Sequence, residues 1–113
     1  MIERSFLLDG VRVPRFLYGT AWKEGETCRL TRLAFQQGFR GFDTANQRKH
    51  YHEAAVGEAL EGIPRSEVFL QTKFTFRPGQ DHRLPYDPDA PIATQVEQSF
   101  ASSQAHLRAE VLD

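Results

Sequence analysis

Three short apolar runs recur along the chain: Phe16-Leu-Tyr-Gly19, Gly41-Phe-Asp43 and Val68-Phe-Leu-Gln-Thr-Lys73. Each is followed by a stretch with helical spacing. This alternation constrains the fold most, because strands separated by helices are joined by crossovers and lie parallel in one sheet. The Val68 run is apolar without alternation, as suits a strand covered on both faces. Strand starts near residues 16, 41, 68 and 111 give units of 25, 27 and 43 residues. That rhythm fits a βα barrel or a doubly wound sheet and does not choose between them.

The helices follow from capping and periodicity. The first is predicted from Thr27, as its cap, to about Gln37, with Leu30, Leu33, Ala34 and Gln37 on one face and Gly38 as its stop. The second runs from about Tyr51 to Glu61 on a stripe of Val56, Ala59 and Leu60, closed by Gly62 and Pro64. The third runs roughly from Ile92 to Arg108, with Val96, Phe100, Ser103 and Leu107 on one stripe and Thr94 and Glu97 at capping-box spacing. Ahead of them, two apolar runs between Phe6 and Val13 flank Asp9-Gly10, which predicts a hairpin with a two-residue turn. The segment from Phe74 to about Ala90 holds three prolines and is expected to be a loop over the same sheet edge as Asp43, less ordered than the helices. Residues Glu110 to Asp113 read as the approach to a fourth strand.

Composition narrows the class. The chain has 113 residues, 40% hydrophobic and 26% charged, which fits one globular domain and excludes a disordered chain. Fourteen basic residues against fifteen acidic ones leave a net charge of −1, without the basic excess of a nucleic-acid binder. The single cysteine, Cys28, excludes an internal disulfide and reads as a small helix residue. No apolar run approaches the roughly 18 residues of a membrane span, and Met1 to Ser5 lack a signal core, so a cytoplasmic protein is expected.

The chemistry concentrates at the strand ends. Asp43 closes a buried strand, where an unpaired carboxylate is costly, and Lys73 closes the next one. Both then sit at the carboxyl edge of the sheet, where α/β enzymes place their sites. A lysine beside a phenol favours the phenolate, and Tyr51, at the start of the following helix, is the candidate general acid toward a carbonyl oxygen. Asp43 and Lys73 also suit a structural ion pair, and Tyr51 an amphipathic surface position. His50 and His52 stand two apart, but no cysteine or second carboxylate has metal-site spacing.

Taken together, Gly19-Thr-Ala-Trp22-Lys23, Asp43-Thr-Ala45, Tyr51, Glu53, Val56-Gly57 and Thr72-Lys73 stand in the order found in the aldo-keto reductases, and the chain resembles that family over nearly all its length. The resemblance implies a (β/α)8 TIM barrel, of which residues 1–113 would be the N-terminal portion: the bottom hairpin and three βα units, ending before the fourth strand. It implies an oxidoreductase that moves hydride between a nicotinamide cofactor, NADPH or alternatively NADH, and a small-molecule carbonyl or alcohol. It assigns Tyr51 as proton donor, Lys73 as the lysine that tunes it, and Asp43 as the aspartate that holds the lysine. Gly19, Thr20, Trp22 and Asp43 would lie near the nicotinamide. Trp22 could equally be core filling.

Two departures from the family pattern stand out. Seven residues separate Asp43 from Tyr51, three more than the pattern has, so the longer loop either returns the phenol to its place or leaves His50 or His52 nearest the substrate. The family's catalytic histidine belongs at the end of the fourth strand, beyond Asp113, and neither His82 nor His106 matches it. The expected function is therefore carbonyl reduction by a barrel of which this chain is a part, inactive alone. A non-catalytic remnant that binds a partner chain or ligand, or a half-barrel completed by another chain, is the alternative, and the open strand edges are expected to favour self-association. In either case the inner sheet face, lined by Leu70 and Phe42, is expected to stay open.

Overall fold

The computed structural model describes residues 3–113. The hairpin forms as expected. Strands β1 (Ser5–Leu8) and β2 (Val11–Pro14) pair antiparallel from Ser5 opposite Pro14 to Leu8 opposite Val11. Asp9 and Gly10 turn the chain at φ 49° and 81°, the left-handed conformation a two-residue turn demands at both positions.

The remaining strands form a parallel sheet in the order β3 (Leu17–Gly19), β4 (Gly41–Asp43), β5 (Phe69–Gln71). Helices α1 (Thr27–Gln36), α2 (Glu53–Ala59) and α3 (Ile92–Leu107) follow them in turn. α1 stops at Gly38, φ 106°, where the Phe39 amide bonds to the Ala34 carbonyl and the Gly38 amide to that of Phe35. This is the left-handed closure that glycine permits. Thr27 is not the cap. A 3₁₀ turn, Glu24–Glu26, feeds straight into α1, so no extended residue precedes the helix, and the Thr27 hydroxyl donates to the Glu24 carbonyl at 2.7 Å.

Register decides which side chains meet. Tyr18, Phe42 and Leu70 stand side by side, flanked by one row of Leu17, Gly41 and Phe69 and another of Gly19, Asp43 and Gln71. The middle row faces the helices. Phe42 and Leu70 are buried with Ala34, Val56, Leu60, Val68 and Leu107, and Tyr18 meets Phe42 and Phe39 edge-on. The expectation that Phe42 and Leu70 line the open face is therefore reversed. Successive strand side chains alternate, so the open face belongs to the two flanking rows, of which the first is closed over Gly41 by Leu17 and Pro14 while Gly19 and Gln71 in the second stay exposed.

α3 keeps Ser103 and Leu107 of its expected stripe inward but is rotated at its first turns. Gln95, Ser99, Ser103 and Leu107 are buried, whereas Val96 and Phe100 are exposed. Neighbouring loops present polar groups here. The Gln95 amide donates to the carbonyls of Pro88 and Ala90, and the Asn46 amide donates to that of Ser99. Thr94 makes no cap, because the helix already begins at Ile92. α2 and α3 approach closely at Gly57, where a Cβ would lie 1.9 Å from the His106 carbonyl oxygen.

The Phe74–Ala90 segment lies over the Asp43 edge, with the Gln80 amide donating to the Asn46 carbonyl. It is more tied down than its composition suggests. Tyr86 is buried, its hydroxyl donates to the Thr75 carbonyl at 2.7 Å, and its ring lies 5.4 Å from that of Phe74. At the far end of the chain, the Asp113 amide bonds to the Leu70 carbonyl at 3.1 Å, which lays the last residues along the outer edge of β5. Among the described residues no helix is long and apolar enough to cross a membrane.

Candidate active site

The parallel register carries Asp43 and Lys73 to the same edge. Beyond the strands, backbone pairing continues from Thr44 to Gln71 and from Asn46 to Lys73, which holds Lys73 in step with the end of β4. The Lys73 Nζ lies 2.6 and 2.8 Å from the two Asp43 carboxylate oxygens, and the Gln71 amide adds a third donor at 2.8 Å. The Lys73 side chain is 43% exposed and that of Asp43 22%, so the pair meets water. Such a pair contributes at most about 1 kcal/mol to folding. Stability gives little reason for its placement.

The longer loop after Asp43 folds on itself. The Gln47 side chain accepts from the His50 amide at 2.7 Å and donates to the His50 Nδ1 at 3.0 Å, while the Tyr51 amide bonds to the Gln47 carbonyl. Outside it, the Trp22 amide bonds to the His50 carbonyl, and the two rings stack with centroids 4.1 Å apart. The extra residues are absorbed in this turn, and Tyr51 returns to the lysine: Nζ lies 5.4 Å from the centre of its ring. His50 is engaged with Trp22 and Gln47. His52 stands beside Arg48, and burial first, then that guanidinium, holds its imidazole below the usual histidine range.

The segment assigned to a cofactor is unevenly available. Gly19 is exposed, with nothing within 4 Å of where a Cβ would sit, so the edge beside Asp43 is open to a flat ligand. Trp22 presents its ring to solvent and carries φ 62°, a left-handed value rare outside glycine and frequent at functional turns. It is not core filling. Thr20 is fully buried, and its hydroxyl donates to the Asp43 carbonyl at 2.8 Å, so its side chain ties β3 to β4.

One cluster escaped the sequence reading. Glu53, the first residue of α2, is 3% exposed, and its carboxylate accepts from the Thr72 hydroxyl and meets the His106 Nδ1 at 3.0 Å. Glu53 was visible as part of a motif. Its partners lie 19 and 53 residues away, and only the packing of α3 on α2 brings His106 to it. A cavity of about 130 Å³ opens beside them, lined by Arg48, Tyr51, His52, Glu53 and His106 among others.

No family model matches the chain. It is 35% identical over 74 residues to an aldo-keto reductase of Mycolicibacterium smegmatis, a match covering 65% of this chain and 27% of that protein. It is 35% identical over 71 residues to the glycerol 2-dehydrogenase (NADP(+)) of Saccharomyces cerevisiae, covering 59% and 22%. The chain thus spans about a quarter of the length of these curated relatives. Among solved structures it matches an aldo-keto reductase from Brucella melitensis with a TM-score of 0.72 at 25% identity, over 96% of this chain and 38% of that one. An aldo-keto reductase complexed with NADPH gives 0.71 at 20% identity, over 96% and 34%, a likeness of fold. Sequence relatives and structural neighbours thus agree on the aldo-keto reductases, whose N-terminal part this chain resembles.

Proposed function

We propose that residues 1–113 are the N-terminal portion of an aldo-keto reductase-like barrel and supply part of a site that reduces an aldehyde or ketone to an alcohol with NADPH. The observation that carries this reading is one junction: Lys73 bonded to Asp43 and lying over Tyr51 at the carboxyl edge of a parallel sheet. The Tyr51 hydroxyl donates its proton to the carbonyl oxygen. Lys73 stabilises the phenolate left behind, and Asp43 holds the ammonium in place. NADPH, when bound, supplies the hydride for the carbonyl carbon. Gly19, Trp22 and Asp43 would hold its nicotinamide, and the open edge at Gly19 fits a flat ring.

Further βα units would complete both the barrel and the site. The solved relatives are about three times as long as the part matched. Leu17 and Phe69 on the open face, and Phe100 on α3, are the surfaces those units would cover. The chain alone is then inactive. The same open face favours a second reading, in which a separate chain closes the sheet. The test is NADPH consumption with a simple aldehyde, by the chain alone and with the remaining barrel of the Mycolicibacterium relative supplied in trans. We expect turnover only in the assembly, and a fall of about 10²- to 10⁴-fold for Tyr51→Phe. Undiminished turnover in Tyr51→Phe would overturn the assignment.

A further inference from the structure

We infer that Glu53 is a positioning residue that sets the place of Tyr51 against Lys73. As an assignment within catalysis this rests on the proposed reductase reading; as geometry it stands on the contacts themselves. Tyr51 lies two residues before Glu53, the first residue of α2, and Thr72 and Lys73 are the two residues that follow β5. Thr72 turns to the helices and bonds to Glu53, whereas Lys73 turns the other way to Asp43. The Thr72–Glu53 bond therefore ties the element bearing the phenol to the element bearing the ammonium, from the side opposite the reaction.

Three features make this tie more than incidental packing. A carboxylate 3% exposed is costly unless it is bonded, so the fold is favoured only where Thr72 and His106 reach it. A small cavity adjoins Tyr51 and Glu53, while Ala55 and Val56 pack into the interior further along α2. The loop ahead of Tyr51 reaches Lys73 through its backbone, the Asn46 amide bonding to the Lys73 carbonyl, and among the described residues Glu53 supplies the side-chain tie between α2 and the residues after β5. His106 completes the clamp. Its ring meets Glu53 while its carbonyl rests against Gly57 one turn further along α2.

The test is solution NMR on the full labelled chain, reading the cross-peak between the Lys73 ε-methylene protons and the Tyr51 ring. Thr72→Val keeps the side-chain volume and removes the hydroxyl; Glu53→Ala removes the carboxylate; Glu53→Gln keeps an acceptor for Thr72. Ala59→Gly weakens α2 away from the clamp and controls for general loosening. We expect the cross-peak to be lost in Thr72→Val and Glu53→Ala and retained in Glu53→Gln and Ala59→Gly. If Glu53→Ala does not fold, Thr72→Val decides alone. A cross-peak of wild-type strength in Thr72→Val, its equal loss in Ala59→Gly, or its absence in the unsubstituted chain would overturn the inference. Turnover of the assembled barrel is scored separately. An inactive assembly with the expected cross-peaks refutes the reductase reading and leaves the clamp standing.

Discussion

The two faces of the three-stranded sheet are built from neighbouring residues of the same strands and differ in almost everything else. On the helix face, Phe42 and Leu70 are buried in the core that joins the sheet to α1, α2 and α3. On the other face, one residue along, Asp43 and Gln71 stand at an edge open to water, together with Lys73. The contrast separates two tasks. The dry face holds the strands in register, and that register places polar groups on the wet face at distances they would not keep by themselves. An ion pair as exposed as Asp43–Lys73 adds little to folding, whereas removing a buried ring opens a cavity.

The strongest way to break this comparison is to cut into each face and compare the losses. Phe42→Ala is expected to destabilise the chain by about 3–5 kcal/mol, and Gln71→Ala on the open edge by about 1 kcal/mol or less, both read as urea midpoints. Equal losses would mean that the open face carries as much of the fold as the core. Gly57→Ala comes next. Its methyl group would collide with the backbone of His106, which cannot swing aside as a side chain can, and a loss of about 1–3 kcal/mol is expected in the same assay. A neutral result would show that α2 and α3 slide freely.

The smallest effect concerns acidity at the wet edge. Burial, then Arg48, holds His52 below its ordinary value of 6.5, so the folded chain binds this proton less readily than the unfolded one. Stability is then full above that value and falls as the pH drops from 6.5 through the folded value, the direction linkage requires when the unfolded state binds more protons. The urea midpoint of the parent chain should therefore fall more between about pH 7 and about pH 5 than that of His52→Gln. Parallel profiles would remove His52 from the acid response.

Legibility in the sequence followed the range of the interactions. Asp9-Gly10 announces its hairpin because two positive φ values are a local demand, and Gly38 announces a helix end for the same reason. Asp43 and Lys73 could be placed together because the ends of adjacent parallel strands share an edge. The direction of Phe42 and Leu70 was harder. A three-residue strand contains hardly one alternation, and Phe69 beside Leu70 is as apolar as its neighbour, which leaves the face of β5 unmarked. Polar residues buried on α3 were illegible for another reason. Gln95 answers carbonyls in the loop before it, and the Ser99 backbone carbonyl accepts from the Asn46 side chain, partners that helical periodicity does not register. The length of the loop before Tyr51 left its fate open until the Gln47–His50–Trp22 contacts showed where the extra residues go.

If Asp43, Lys73 and Tyr51 are placed for chemistry and not for stability, Lys73→Met separates the two. The substitution keeps much of the side chain and removes the charge. Its urea midpoint and the turnover of its assembled barrel should be measured on the same preparation. We expect a change in stability of about 1 kcal/mol or less with turnover reduced by about 10²-fold or more. A loss of several kcal/mol with turnover unchanged would contradict it and leave Asp43–Lys73 as a structural ion pair.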